Sequence, residues 1–180
     1  MGHTALQLKQ YDQAIQAHAK AIAVLQEIRV QDGQDENLEA EGELRLSLGQ
    51  AYRHSDQAHE AIQCYERAEK IAEALHNPEM KYRAVGNRGL IYADTGHYSE
   101  SITLLTGTLE YYKRINDHRL LGHAQFNLAY AHYRKGDLVK AKAIGAEALR
   151  YLTMINDSYK EEVKRQIDTW EKKPIESDKA

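Results

Sequence analysis

The thirteen residues GNRGLIYADTGHY, Gly86 to Tyr98, recur in altered form forty residues to either side, and this repetition constrains the fold more than any other feature of the chain. Asp56, Gly96 and Gly136 stand 40 residues apart. Gly49, Gly89 and Ala129 each fall three residues before Tyr52, Tyr92 and His132, while Ala61, Ser101 and Ala141 share one later column and Ala68, Thr108 and Ala148 another. Small residues recur at such columns because two antiparallel helices approach closely only where no bulky side chain separates them. The junctions Leu75-His76-Asn77, Ile115-Asn116-Asp117 and Ile155-Asn156-Asp157 keep the same spacing. They read as helix boundaries: Asn tolerates the left-handed conformation that ends a helix, and Asn77, Asp117 and Asp157 can cap the next one. Pro78 suits a first helical position, where no amide donor is needed.

A chain of 180 residues has room for about four such units. Only 2 prolines and an abundance of Ala, Leu, Glu, Gln, Lys and Arg favour helices throughout. A formal net charge of −3 gives no whole-chain attraction to nucleic acid or to an anionic membrane, so neither is expected as a partner. Cys64 is the only cysteine, which rules out an intrachain disulfide and suits a reducing compartment. With no long apolar run and no leader pattern at the start, the expected location is cytoplasmic. The 9 histidines form no H-E-x-x-H motif and lack the i, i+4 spacing of helical metal ligands. No glycine-rich phosphate loop or nucleophile-base pair is legible either, so no metal, cofactor or catalytic role is expected.

The phrases GNRGLIYADTGHYSESI, FNLAYAHYRKGDLVKAKAI and LSLGQAYRHSDQAHEAI resemble the tetratricopeptide repeat, in the forty-residue variety of kinesin light chains, spindle-orientation adaptors and bacterial peptide-pheromone receptors. The resemblance covers nearly the whole chain. Departures are Ser47 for Asn, Asp56 for Gly, Arg88 for Leu, Ser101 for Ala and His132 for Tyr. The resemblance implies an all-α fold, a right-handed superhelical stack of antiparallel helix pairs with about seven long helices and a C-terminal capping helix. The expected organisation is a partial first repeat over 1–31, repeats over 35–76, 77–116 and 117–156, a capping helix over 157–173 and a disordered tail over 174–180.

Two segments break the regularity. Tyr11, Ala14, His18 and Ala21 match Tyr98, Ser101, Leu105 and Thr108, so the first unit has a second helix, with only Thr4 to Leu8 to represent the first. Either the chain is a fragment of a longer array, or the helix from Gln10 to Arg29 exposes Ile15, Ile22, Leu25 and Ile28 to a partner. Gln31 to Asn37 reads as a long polar loop. At the other end Tyr159, Val163, Ile167 and Trp170 form one apolar stripe of a helix whose other faces are charged, as closing a stack requires.

A stack of this kind presents a concave surface lined by the first helices. The resemblance places Arg53, Arg83, Asn87, Leu90, His123, Phe126, Asn127, Tyr130, Tyr133 and Arg134 on it. Asn87 and Asn127 occupy the column in which related proteins hold an extended peptide, since an amide can satisfy a peptide bond without reading its side chain. The alternative is an amide bonded within its own repeat. Phe126, Tyr130 and Tyr133 suit rigid anchors or packing between repeats. Arg53, Arg83 and Arg134 would favour an acidic or carboxylate-terminated peptide. The expected function is a non-catalytic protein- or peptide-binding scaffold, as in a bacterial signalling or regulatory protein. Structural self-association as a homodimer, through the unpaired N-terminal helix or the C-terminal cap, is the alternative.

Overall fold

The computed structural model describes residues 4–32 and 37–172. They form eight helices: α1 (Ala5–Asp32), α2 (Leu38–His54), α3 (Ala58–Ala74), α4 (Pro78–Asp94), α5 (Tyr98–Arg114), α6 (His118–Arg134), α7 (Leu138–Met154) and α8 (Tyr159–Lys172). No strand occurs among the described residues. Six of the helices, α2 to α7, are 17 residues long, as an unbroken 40-residue period requires.

The turn columns explain that regularity. Asp56, Gly96 and Gly136 have φ of 57, 88 and 88°, and His76, Asn116 and Asn156 have φ of 50, 55 and 53°. Each left-handed residue reverses the chain just after a helix, and the amide that follows reaches back to close the last turn, as Gln57 N does to Tyr52 O at 2.9 Å and His97 N to Tyr92 O at 2.8 Å. Asp56 adopts the conformation that glycine supplies elsewhere, which aspartate tolerates better than most residues. The next helices begin on the caps read from the sequence. Asn77 Oδ1 accepts from Met80 N at 3.0 Å, Asp117 Oδ1 from Leu120 N at 2.9 Å and Asp157 Oδ1 from Tyr159 N at 2.8 Å.

The chain divides into two compact units, Met1–Ile91 and Tyr92–Ala180. In the first, Leu46, Tyr65, Ile71, Met80 and Ile91 form a core around the small residues Ala61, Ala68 and Ala84. Gly49 is required there: a Cβ at this position would lie 2.7 Å from the Tyr65 ring. Arg88 is half-buried and reaches from α4 to α3, with Nη1 2.9 Å from Glu69 Oε2 and 3.8 Å from Glu66 Oε1. An ion pair between helices thus replaces the leucine of the repeat pattern.

The first helix departs from expectation. It runs unbroken from Ala5 to Asp32, so Ala5 to Leu8 extend it instead of representing a separate first helix, and Gln31 and Asp32 are helical. Ile22, expected to be exposed, is buried against Leu48 and Cys64, and Ile15 packs on the same cluster. Of the four residues expected to face a partner, Ile15 and Leu25 are half-buried and only Ile28 is exposed. The reason is that α1 lies on α2, where Tyr11 also stacks on His54 with ring centroids 5.0 Å apart.

In the second unit, Ala93, Leu105, Leu128 and Ala131 form one cluster. Phe126, Leu152, Val163 and Trp170 form another. The stripe on α8 is the one the sequence shows: Val163 and Trp170 are buried, Tyr159 and Ile167 half-buried, and Lys164, Arg165 and Asp168 exposed. The expected tail over 174–180 lies outside the described residues.

Candidate functional site

The first helices α2, α4 and α6 carry the residues expected to meet a ligand, and each unit is built by the same logic. In the first unit, Arg83 Nη1 donates to Glu43 Oε1 at 2.7 Å. In the second, Arg134 Nη1 donates to Asp94 Oδ1 at 2.9 Å and Nη2 to the Asp94 carbonyl at 3.1 Å. Both pairs join residues 40 apart, one repeat length, and so tie a first helix to the equivalent helix of the next repeat. The two guanidinium charges are therefore matched within the chain.

The second unit adds a tyrosine to this pair. Tyr130 donates to Asp94 Oδ1 at 2.6 Å, and Arg134 Nη1 lies 2.9 Å from the Tyr130 hydroxyl oxygen. Burial, aided by the Asp94 carboxylate, pushes the Tyr130 hydroxyl up to about 12, so it stays a donor at neutral pH. Next to it Tyr133 stacks on Trp170 at 4.9 Å, and His123 stacks on Tyr159 at 4.5 Å with its Nε2 3.6 Å from Asp157 Oδ2.

Two expected ligand residues are inside. Phe126 is 4% exposed because Trp170 lies over it, their rings parallel to within 5° and 5.7 Å apart. Leu90 is buried as well. Both support the surface from beneath and do not form it. Arg53, Arg83, Asn87, His123, Asn127, Tyr130, Tyr133 and Arg134 are half-buried. The side-chain amides of Asn87 and Asn127 make no hydrogen bond to any described residue. The alternative in which each bonds within its own repeat does not hold. The sequence marks Asp157 only as a cap and Tyr159 only as part of an apolar stripe; the structure sets both against His123.

The remaining reactive groups are quiet. Cys64 is buried, and burial pushes its thiol up to about 11, far from the thiolate a nucleophile needs. Among the described residues no group of three His, Cys, Asp or Glu could hold a metal ion. No helix there is long and apolar enough to cross a membrane.

His123 and His132 are both held below the ordinary histidine value of 6.5, chiefly by burial. The folded chain therefore takes up these protons less readily than the unfolded chain. Stability is complete above the ordinary histidine range and falls as pH drops through it toward the lower folded values. The midpoint of thermal unfolding is expected to drop on acidification from about pH 7.5 to about pH 5.5. His132→Tyr, which restores the residue of Tyr52 and Tyr92, should flatten that drop; an equal slope in the variant would assign the effect elsewhere.

Paired helices of fixed length, reversed by left-handed turns at a constant period, define a helical-repeat protein. Tetratricopeptide repeat models match residues 42–75 and 80–153, and the chain belongs to that family. Solved structures agree on the fold. BtubC (BKLC) from P. vanneervenii superposes with a TM-score of 0.58 at 15% identity, covering 94% of this chain and 88% of that one. Nearly identical TPR-like repeats from Podosopora anserina, described as those of a putative kinesin light chain, superpose with a TM-score of 0.54 at 15% identity, over 95% of this chain and 97% of theirs. A variant form of those repeats gives 0.55 at 15% identity, over 91% of this chain and 92% of that one. No curated protein matches the chain in sequence. Tetratricopeptide repeats generally mediate interactions between proteins, which is consistent with a scaffold.

Proposed function

We propose that the chain is a non-catalytic scaffold that holds extended partner protein on its first helices, with Asn87 in the first unit and Asn127 in the second each bonding partner backbone. The observation that carries this reading is the state of these two amides. They are half-buried, stand at one column of successive repeats, and have no hydrogen bond to a described residue. Both amides stay open to solvent, so a bound peptide group can take their donor and acceptor without displacing an internal partner among the described residues. Tyr130, Tyr133 and Arg134 would frame the bound backbone in the second unit, with His123 beside them, and Arg53 and Arg83 in the first.

An acidic segment fits this surface by exchange. Arg83 and Glu43 are 39% and 45% exposed, and pairs so open to water contribute only about 0.2–1 kcal/mol, little enough for a partner carboxylate to replace Glu43. The reading includes a reducing, cytoplasmic setting, which suits the buried free thiol of Cys64, and service in a signalling or regulatory protein.

A peptide-array screen on the intact chain, followed by anisotropy titration of the best peptides, tests this. Asn87→Ala with Asn127→Ala should weaken capture by about 10- to 100-fold, one hydrogen bond's worth at each position. The circular dichroism and unfolding midpoint should not fall, since no internal bond is lost. Undiminished binding by the double variant would overturn the assignment.

A further inference from the structure

We infer that a second copy of this chain docks on α1, the two α1 helices pairing antiparallel about a twofold axis. Ala14, Ala17, Ala21, Val24 and Ile28 recur at alternating steps of three and four, the spacing of a coiled-coil seam. On a helix of 3.6 residues per turn this seam lies about a third of a turn from Ile15 and Ile22, which face α2. The helix is thus apolar on two sides, and among the described residues only one is packed.

The repeat itself shows that the second side is built for a helix. Ala61, Ser101 and Ala141 are 0% exposed, and Ala68, Thr108 and Ala148 no more than 3%. At the same two columns of α1, Ala14 and Ala21 are only half-buried; Ala17 and Val24 are exposed, Val24 by 47%. The turn that brings a first helix onto this side in the other repeats is absent from α1. Lys9 and Gln10 align with Gly96 and His97 of that turn, yet both lie within the unbroken α1.

Charge selects the occupant. Lys20 and Glu27 are exposed, sit seven residues apart, and each precedes a seam residue on the same flank. In an antiparallel pair each flank meets its own copy, so Lys20 of one chain meets Glu27 of the other, twice by symmetry. In a parallel pair Lys20 would instead face Leu25. Docking of α8 from a second copy is disfavoured, since its outer positions Lys164, Arg165 and Asp168 are charged and exposed. Alanines at three of the five seam positions permit close approach of two helices but bury little area, which suits a reversible dimer.

Sedimentation equilibrium of the intact chain, from micromolar to high micromolar concentration, should show a monomer of 20.6 kDa in reversible equilibrium with twice that mass. Val24→Glu should leave circular dichroism unchanged, because Val24 is exposed, and should abolish the dimer. Lys20→Glu should weaken association by about tenfold, and Lys20→Glu with Glu27→Lys should restore it. A chain that remains monomeric throughout overturns the proposal, as does a dimer indifferent to Val24→Glu or one that the charge exchange fails to rescue. Peptide capture through Asn87 and Asn127 is read separately, so either inference can fail alone.

Discussion

Trp170→Ala is expected to lower the stability of the second unit by about 3–5 kcal/mol, the usual loss on truncating a buried large aromatic. Trp170 is 3% exposed near the end of α8 and lies against both Phe126 and Tyr133. Its removal opens a space that alanine cannot fill, and Phe126 and Tyr133 each lose a stacked ring. Gly145 adds to the sensitivity: its missing Cβ admits Ile167, and Ile167 is seated only while α8 is docked. Repeat arrays lose stability locally, since each unit contacts its neighbours alone. Amide hydrogen exchange should therefore accelerate over α6 to α8 and stay unchanged over α2 and α3. Because Trp170 is the only tryptophan, circular dichroism in a urea titration is the suitable probe. Trp170→Phe should keep most of the stability. A loss below about 1 kcal/mol for the alanine variant would mean that α8 contributes little to closing the array.

The repeat was legible because its determinants are local. Turn residues at Asp56, Gly96 and Gly136 and caps at Asn77, Asp117 and Asp157 act within a few residues of chain, and a fixed spacing exposes them. Trp170 was legible as a packing residue for the same reason, its stripe lying on a single helix. What the sequence left open depends on neighbours distant in the chain. Ile22 and Val24 differ little as letters, yet α2 covers one and leaves the other in water. Phe126 belongs to a first helix, and only the arrival of Trp170, forty-four residues later, places it inside. Arg83 and Arg134 looked like part of a basic surface until their partners, one repeat earlier, were in view at Glu43 and Asp94. That signal was available, since opposite charges forty residues apart at one face of a repeat should be tested as pairs. Asn87 and Asn127 show the limit from the other side: their column was readable, whereas their lack of a partner among the described residues emerges only in the folded chain.

Glu41→Ala should destabilise the first unit by about 3–5 kcal/mol, as large an effect as any core truncation, although the residue is charged. Glu41 is 2% exposed near the start of α2. Its Oε1 accepts from Arg45 Nε at 2.8 Å and from Gln26 Nε2 of α1 at 3.1 Å, and Arg67 of α3 lies 3.9 Å away. One carboxylate thus joins three helices. Removing it leaves the Arg45 guanidinium, whose side chain is only 17% exposed, without its carboxylate, and the cost of such a stranded ion exceeds the worth of the pair itself. The chemistry predicts an order among variants. Glu41→Gln keeps an acceptor for Gln26 and Arg45 but not the charge, so its loss should be smaller. Glu41→Ala with Arg45→Ala should recover part of the loss, because no guanidinium is then stranded; the coupling between the two sites should exceed about 1 kcal/mol in a double-mutant cycle. Exchange of the α1 amides should accelerate in Glu41→Ala ahead of those in α3, since Gln26 ties α1 to this carboxylate. Additive losses at the two sites would show instead that Glu41 acts through its packing and not through its charge.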